Sequence, residues 1–385
     1  MNSPWQHTKL AKTLAPVSRP EAVDPTKEYR LLGIRLDGGG PFLRETIIGS
    51  QIAATKLSKV EAGDFIYSRL FAWRGAFGVI ASPFDGCYVS GEFPTFRSIS
   101  DILDTEFLRL WFRLPSTIRR VEENCTGSTP LTRNRFKENF FLDLEIPLPP
   151  LPEQRRIVAR IETLAAKIEE TKKLKKQIEQ DADKLLLGTF YKLISGAKEE
   201  LLREIAPITR RPVKIDTASS YPEIGIRSFG KGTFHKPNLS GWEVGSKKLY
   251  RVQADDLLFN NVFAWEGAIA VVQPEDAGRV GSHRFIACVP KKELVTAHFL
   301  RFYFLTEAGL EKIGLASPGG AGRNRTLGLE KLEAITVPVP SFEKQLWFDK
   351  LQLTIEKIRE GLSQTALELD TLRPSILAKA FKGEL

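Results

Sequence analysis

Two stretches of this chain carry a seven-residue apolar rhythm, and together they limit what it can fold into. Apolar or small residues recur at Ile157, Ile161, Leu164, Ile168, Thr171, Ile178, Ala182 and Leu185, in steps of three and four broken only at Lys175. Such a seam marks a helix that packs along another helix. It follows Ile146-Pro147-Leu148-Pro149-Pro150-Leu151-Pro152-Glu153-Gln154, where the prolines favour extended backbone and make the helix start sharply after a strand end. A second seam runs through Phe348, Leu351, Ile355, Ile358, Leu362, Thr365, Leu369, Leu372 and Ile376, over the same 29-residue span. It too has a proline lead-in, Val337-Pro338-Val339-Pro340-Ser341-Phe342-Glu343-Lys344-Gln345. A lone heptad helix is marginal in water, so each seam is expected to be the other's partner. The alternative is two unrelated surface helices, which would have to match in length, lead-in and register independently.

The rest of the chain is duplicated as well. Leu14-Ala15-Pro16-Val17-Ser18-Arg19 matches Ile205-Ala206-Pro207-Ile208-Thr209-Arg210, and Gly33-Ile34-Arg35 matches Gly225-Ile226-Arg227. Phe71-Ala72-Trp73-Arg74-Gly75-Ala76 matches Phe263-Ala264-Trp265-Glu266-Gly267-Ala268, and Phe107-Leu108-Arg109 matches Phe299-Leu300-Arg301. The offset stays at 190 to 192 residues from the first match to the helix ends. A repeat of that kind decides the architecture. The expected plan is α+β: a globular domain over 1–145, a proline lead-in and central helix over 146–196, a second globular domain over 197–336, and a second lead-in and helix over 337–385. The two helices are expected to form an antiparallel coiled coil with a pseudo-two-fold relation between the halves. Short strands are expected around Phe65-Ile66-Tyr67 and Leu257-Leu258-Phe259, with one helix per domain near Thr105–Arg113 and Thr296–Thr306.

At 385 residues, with 42% hydrophobic and 27% charged residues, the chain has ample material for two cored domains. No run of 18 apolar residues occurs and Met1-Asn2-Ser3-Pro4-Trp5 has no secretory pattern, so no membrane segment is expected. The three cysteines, Cys87, Cys125 and Cys288, are scattered without metal or redox spacing, which points to a reducing, cytoplasmic setting. A net charge of +9 favours a polyanionic partner. A 29-residue helix is roughly 44 Å long at 1.5 Å per residue, and that length matches about 13 base pairs of duplex at 3.4 Å each. Two basic modules on such a rod suit a split DNA site.

Pro147-Leu148-Pro149-Pro150-Leu151-Pro152-Glu153-Gln154-Arg155-Arg156-Ile157, together with the tandem domain–helix plan, resembles the specificity subunit of type I restriction–modification systems. The resemblance covers nearly all of the chain, and the second lead-in is a degenerate copy of the first. It implies that each globular domain is a target-recognition domain reading one half of a bipartite, asymmetric site on double-stranded DNA. It also implies that the helices separate the domains and dock two methyltransferase subunits, with two motor-nuclease subunits joining for restriction. S-adenosylmethionine, ATP and Mg²⁺ would then belong to those partners and not to this chain. Glu153, Gln154, Arg155 and Arg156 become candidates for methyltransferase docking by the same resemblance.

The residues themselves fit a reader without chemistry of its own. There is no Asn/Asp-Pro-Pro-aromatic stretch for holding a flipped base and no phosphate-loop lysine motif. The four histidines are isolated, so neither a metal site nor a catalytic set is expected. Asp37-Gly38-Gly39-Gly40-Pro41 reads as a turn. Arg69, Trp73 and Arg74 in the first domain stand against Asn260, Asn261, Trp265 and Glu266 in the second. Arginine suits guanine edges, asparagine adenine, and glutamate can accept from cytosine, so the two halves are expected to read different bases. Ser128, Arg133, Asn134 and Arg135, and Gly319, Gly320, Arg323, Asn324 and Arg325, form paired loops suited to phosphate contact. For each of these residues the alternative is a solvated loop position, a core tryptophan, or a salt bridge to a nearby carboxylate. At the level of the whole chain, the rivals are an autonomous enzyme and a coiled-coil interaction scaffold that does not read DNA.

Overall fold

The computed structural model describes residues 5–99, 101–126, 135–319 and 325–385. Packing gathers them into two compact units, Met1–Lys175 with Ser363–Leu385, and Lys176–Leu362. Each unit therefore holds one globular body and part of both long helices.

In the first unit, a four-stranded antiparallel sheet runs in the order Leu14–Val17, Thr95–Ser98, Phe65–Tyr67, Phe77–Val79. Side chains alternate across a strand. Phe65 and Tyr67 thus enter an aromatic core with Phe77, Phe96, Phe112, Phe136 and Phe141, while Ile66 points the other way to Leu32, Val60 and Val89. Within that core the rings of Phe77 and Phe112 stack at 3.9 Å. The helix Thr105–Trp111 covers this face and is capped by Asp104, which accepts from the amides of Glu106 and Phe107 at 2.8 and 3.2 Å. A second sheet of five strands includes the long hairpin Glu28–Arg35 and Gly40–Ile48. Its tip needs Asp37 and Gly38 in left-handed backbone, which explains the glycine-rich turn.

The second unit repeats the scheme with a three-stranded sheet, Ile269–Val271, Leu257–Asn260, Phe285–Cys288. Leu257 and Phe259 face the helical core and Leu258 the opposite side. Thr296 caps the helix Ala297–Leu305 in the place of Asp104. The remaining strands form two-stranded pairs instead of one larger sheet. Both units pair a half-buried arginine with a buried aspartate: Arg19 with Asp64 at 2.7 Å, and Arg211 with Asp256 at 2.6 Å. The partner in the second unit is thus Arg211, one residue beyond the Arg210 that the sequence alignment pairs with Arg19. Arg210 instead lies over the Tyr250 ring.

The central helix spans Leu151–Ile194 and the C-terminal helix Phe342–Ala380. They pair antiparallel within each unit. In the first, Ile157 and Ile161 share a core with Leu377, Ala380 and Phe381, and Arg156 reaches the Leu385 carbonyl. In the second, Phe190 packs on Phe348, their ring centroids 5.5 Å apart, while Asp183 pairs with Arg359. The seam differs from expectation beyond Ile168. Leu185 is 55% exposed and Leu186 and Phe190 are buried in its place, and Ile178, Ile358 and Leu372 are also exposed. A straight helix drifts about 20° per heptad against a strict 3.5 repeat, so the a/d reading slides off the buried face. The C-terminal helix also continues through Pro374, which forfeits one backbone bond there.

Each proline lead-in is fastened by a buried glutamine. Gln154 accepts from the Asp104 amide at 2.8 Å and donates to the carbonyls of Ile102 and Pro149, both at 2.8 Å. Gln345 does the same with the Thr296 amide and the carbonyls of Leu294 and Pro340. Both are 0% exposed. Replacing Gln154 with Ala strands an amide and two carbonyls, and should cost about 2–3 kcal/mol. A urea midpoint within error of the parent would contradict this, and Gln177→Ala on the exposed flank serves as the neutral comparison.

Candidate nucleic-acid interface

The Phe71-Ala72-Trp73-Arg74 segment folds as a short 3₁₀ turn over Ala72–Arg74, closed by Gly75 in left-handed backbone. Trp73 is half-buried and donates its indole N–H to the Leu70 carbonyl at 3.1 Å. Arg74 is exposed, with its guanidinium over the Trp73 ring at 5.8 Å. The tip of the long hairpin docks on this turn: the amide of Asp37 donates to the Arg74 carbonyl at 2.9 Å, and that of Gly38 to the Gly75 carbonyl at 2.8 Å. These backbone bonds hold the turn while leaving its side chains outward.

The second unit builds the same frame. Ala264–Glu266 forms the 3₁₀ turn, and the amides of Phe229 and Gly230 donate to the Glu266 and Gly267 carbonyls, both at 2.8 Å. Trp265 donates to the Val262 carbonyl at 2.9 Å, and the Arg325 guanidinium lies over its ring at 5.2 Å. Beside each turn a strand end is fixed twice by backbone. Arg69 donates to the Glu92 carbonyl and accepts from Phe136, while Asn261 donates to the Arg284 carbonyl and accepts from Leu327. The frames match and the side chains on them do not: Arg74 corresponds to Glu266, Arg69 to Asn261, and Glu92 to Arg284.

Several expected contacts are committed within the protein. Arg69 is tied to Glu138 through two nitrogens and to the Gly91 carbonyl, which makes it a residue that holds the loop and not an outward reader. Arg135 pairs with Glu92 at 2.7 Å, so the salt-bridge alternative describes both. Asn260 accepts from the Val262 amide at 3.1 Å, a local turn bond. The Asn261 side-chain oxygen is buried and accepts no hydrogen bond among the described residues. Trp73, Arg74, Trp265, Glu266 and Arg325 cluster at the two turns, and Gly319 is exposed nearby in sequence. Ser128, Arg133, Asn134, Gly320, Arg323 and Asn324 lie outside the described residues.

Gln154 is not available to a partner, since all its polar atoms are used internally. Glu153 and Arg156 form an exposed pair at 2.7 Å, and Arg155 is exposed beside them. Sequence reading missed Arg113 and Arg119, which line a cleft of about 430 Å³ with Trp73 and Arg74. It also missed Arg284, which extending the repeat alignment from Glu92 would have found. No group of three metal-ligating side chains lies together among the described residues, and no described helix is long and apolar enough to cross a membrane.

Burial works against the Glu138 carboxylate, but its bonds from Arg69 outweigh it and hold the carboxyl below its usual range. With a depressed folded-state pKa, the pair's stabilisation is present above about pH 4.3, the ordinary glutamate value, and is lost as pH falls through the lowered one. Glu138→Gln should remove that acid-side loss. In a double-mutant cycle with Arg69→Ala the coupling should be about 1 kcal/mol, because the pair is partly exposed. Zero coupling would return Arg69 to the solvent-facing set.

A family model described as the type I restriction modification DNA specificity domain matches residues 33–180. The specificity subunit of the type I restriction enzyme EcoBI from Escherichia coli is 23% identical over 312 residues, covering 71% of this chain and 64% of that protein. The EcoKI specificity subunit of Escherichia coli strain K12 is 25% identical over 285 residues, covering 66% of this chain and 60% of that protein. The chain thus spans less than two thirds of the length of these curated relatives. Its fold is similar to the crystal structure of the HsdS subunit from Thermoanaerobacter tengcongensis, with a TM-score of 0.67, 19% identity and full coverage of both chains. A chain solved in work on complex assembly and conformational transition of the type I R-M system gives a TM-score of 0.65 at 20% identity. With the duplicated turns and proline lead-ins in view, residues 33–180 belong to the type I restriction modification DNA specificity domain family, and the chain as a whole has the fold of these solved structures.

Proposed function

We propose that this chain is the DNA-reading subunit of a type I restriction–modification assembly, with each unit reading one half of a bipartite, asymmetric site. The observation that carries this reading is the pair of matching backbone frames bearing opposed side chains, Arg74 against Glu266 above all. Arg74 rests on Trp73, so its fork is partly ordered before it meets a guanine edge. Glu266 accepts only, which suits the amino group of cytosine. Two readers built this way on one chain select two different half-sites.

The chain contributes binding and no chemistry in this account. Two methyltransferase subunits dock along the paired helices and two motor-nuclease subunits join for restriction. S-adenosylmethionine stays with the former, and ATP with Mg²⁺ with the latter. The half-buried Glu153 and the exposed Arg155 and Arg156 lie at the start of the central helix, where a docking partner would meet them.

Selection of bound duplexes from a randomised pool tests the reading. The parent chain should enrich two unlike half-sites. Arg74→Ala should relax one position in one half by about 1–3 kcal/mol and leave the other half intact, and Glu266→Ala should do the converse. Equal loss in both halves, or enrichment of a palindrome, would contradict it. Equilibrium dialysis of the isolated chain with labelled S-adenosylmethionine should show no retention. Retention would bring back an autonomous methyltransferase.

A further inference from the structure

The cleft beside Trp73 differs in charge from the matching surface of the second unit. The helix Pro115–Glu123 packs against the Ala72–Arg74 turn, as Glu307–Ala316 packs against Ala264–Glu266. A β-carbon on Gly38 would lie 2.6 Å from Cγ of Arg113, and one on Gly230 would lie 2.7 Å from Cδ1 of Leu305. Arg113 and Leu305 therefore occupy the same place, each laid across a hairpin tip. At the 192-residue offset, Arg119 corresponds to Glu311, and both are exposed on their helices. Arg74, Arg113 and Arg119 thus converge on one cleft with Trp73, where the second unit has Glu266, Leu305 and Glu311. The acidic residues at the first cleft, Asp37 and Glu122, leave its formal balance positive by one. Their counterparts Phe229 and Gly314 are uncharged, while that of Pro115 is Glu307, so the matched positions of the second surface are negative by three, and by two with Arg325 over the Trp265 ring.

We infer that the cleft beside Trp73 seats a backbone phosphate of the bound duplex, and that the matching surface of the second unit does not. The inference rests on the DNA-reading function proposed above and adds an inequality between its halves. A guanidinium cluster with a partly apolar floor suits a phosphodiester, because arginine pairs with phosphate oxygens through two parallel N–H donors. Opposite Glu266 and Glu311 a phosphate would meet like charge. The first half-site is then held by backbone charge as well as base edges, and the second by base edges and other loops.

The slope of log K against log salt counts phosphate contacts, at about 0.9 per contact on duplex DNA. The measurement uses the full chain and a fluorescent random-sequence duplex, followed by anisotropy across a salt series. Arg119→Ala should lower the slope by close to one contact and weaken binding several-fold, with its melting temperature unchanged because the side chain is exposed. Arg113→Gln should act in the same direction. Glu311→Gln should leave the slope alone. Parent-like slopes in both arginine variants would overturn the inference while leaving DNA reading intact. Equal slope changes at Arg119 and Glu311 would overturn the inequality. A parent chain whose binding shows no salt dependence would remove the DNA-reading proposal and this inference with it.

Discussion

The buried glutamine at the start of each long helix is the interaction on which the rest of the fold depends. The proline lead-ins deliver the chain to the helix with few amide donors, so carbonyls such as those of Pro149 and Pro340 would otherwise be buried without partners. Gln154 and Gln345 supply two donors and one acceptor at that corner, and glutamate could not replace them because its carboxylate cannot donate. Each glutamine also grips the amide just before the first core helix, at Asp104 and at Thr296. The direction in which each long helix leaves its globular body is thereby tied to the helix that covers the sheet. Phe107 and Phe381 in one unit, and Phe299 and Phe190 in the other, complete the same attachment with ring contacts at 4.8 and 5.4 Å.

The two tryptophan turns show a division of labour between backbone and side chain. The tryptophan turns are held by main-chain bonds from the hairpin tips and by indole donors to Leu70 and Val262, none of which involves the side chain of Arg74 or Glu266. A substitution at position 74 therefore changes what the turn presents without removing what supports it, whereas one at 266 also removes the bond that its carboxylate accepts from the Ser228 hydroxyl at 3.4 Å. The ion pairs Arg19–Asp64 and Arg211–Asp256 serve the frame in the same way, since each buried aspartate meets its countercharge within the protein. Under the proposed function, duplication followed by divergence at the outward positions is a route to two readers of unlike sequence.

Much of this was legible in the sequence because it depends on local rhythm. The 190 to 192-residue repeat, the proline lead-ins, the seams and the short strands around Phe65–Tyr67 and Leu257–Asn260 all follow from spacing and residue type. What could not be read was settled by partners distant along the chain. The pairing of Arg69 with Glu138 depends on the start of a helix 69 residues away, and the burial of Gln154 on a segment 50 residues before it. The slide from Leu185 to Leu186 comes from small helical drift accumulated over several turns, and the displacement from Arg210 to Arg211 from a single inserted residue. Arg113 and Leu305 were passed over because an arginine and a leucine give no sign of equivalence until both are seen lying on a glycine hairpin tip.

The most direct measurement is a map of N6-methyladenine across a host genome, with this chain present and absent, beside a methyltransferase shown to bind it. The account predicts a single bipartite motif with two unlike halves that disappears when the chain is removed. A chain-dependent palindrome would mean that both units read the same sequence and that the Arg74/Glu266 difference carries no readout. No chain-dependent methylation at all would contradict the reader itself and favour a scaffold that organises partners without choosing a site.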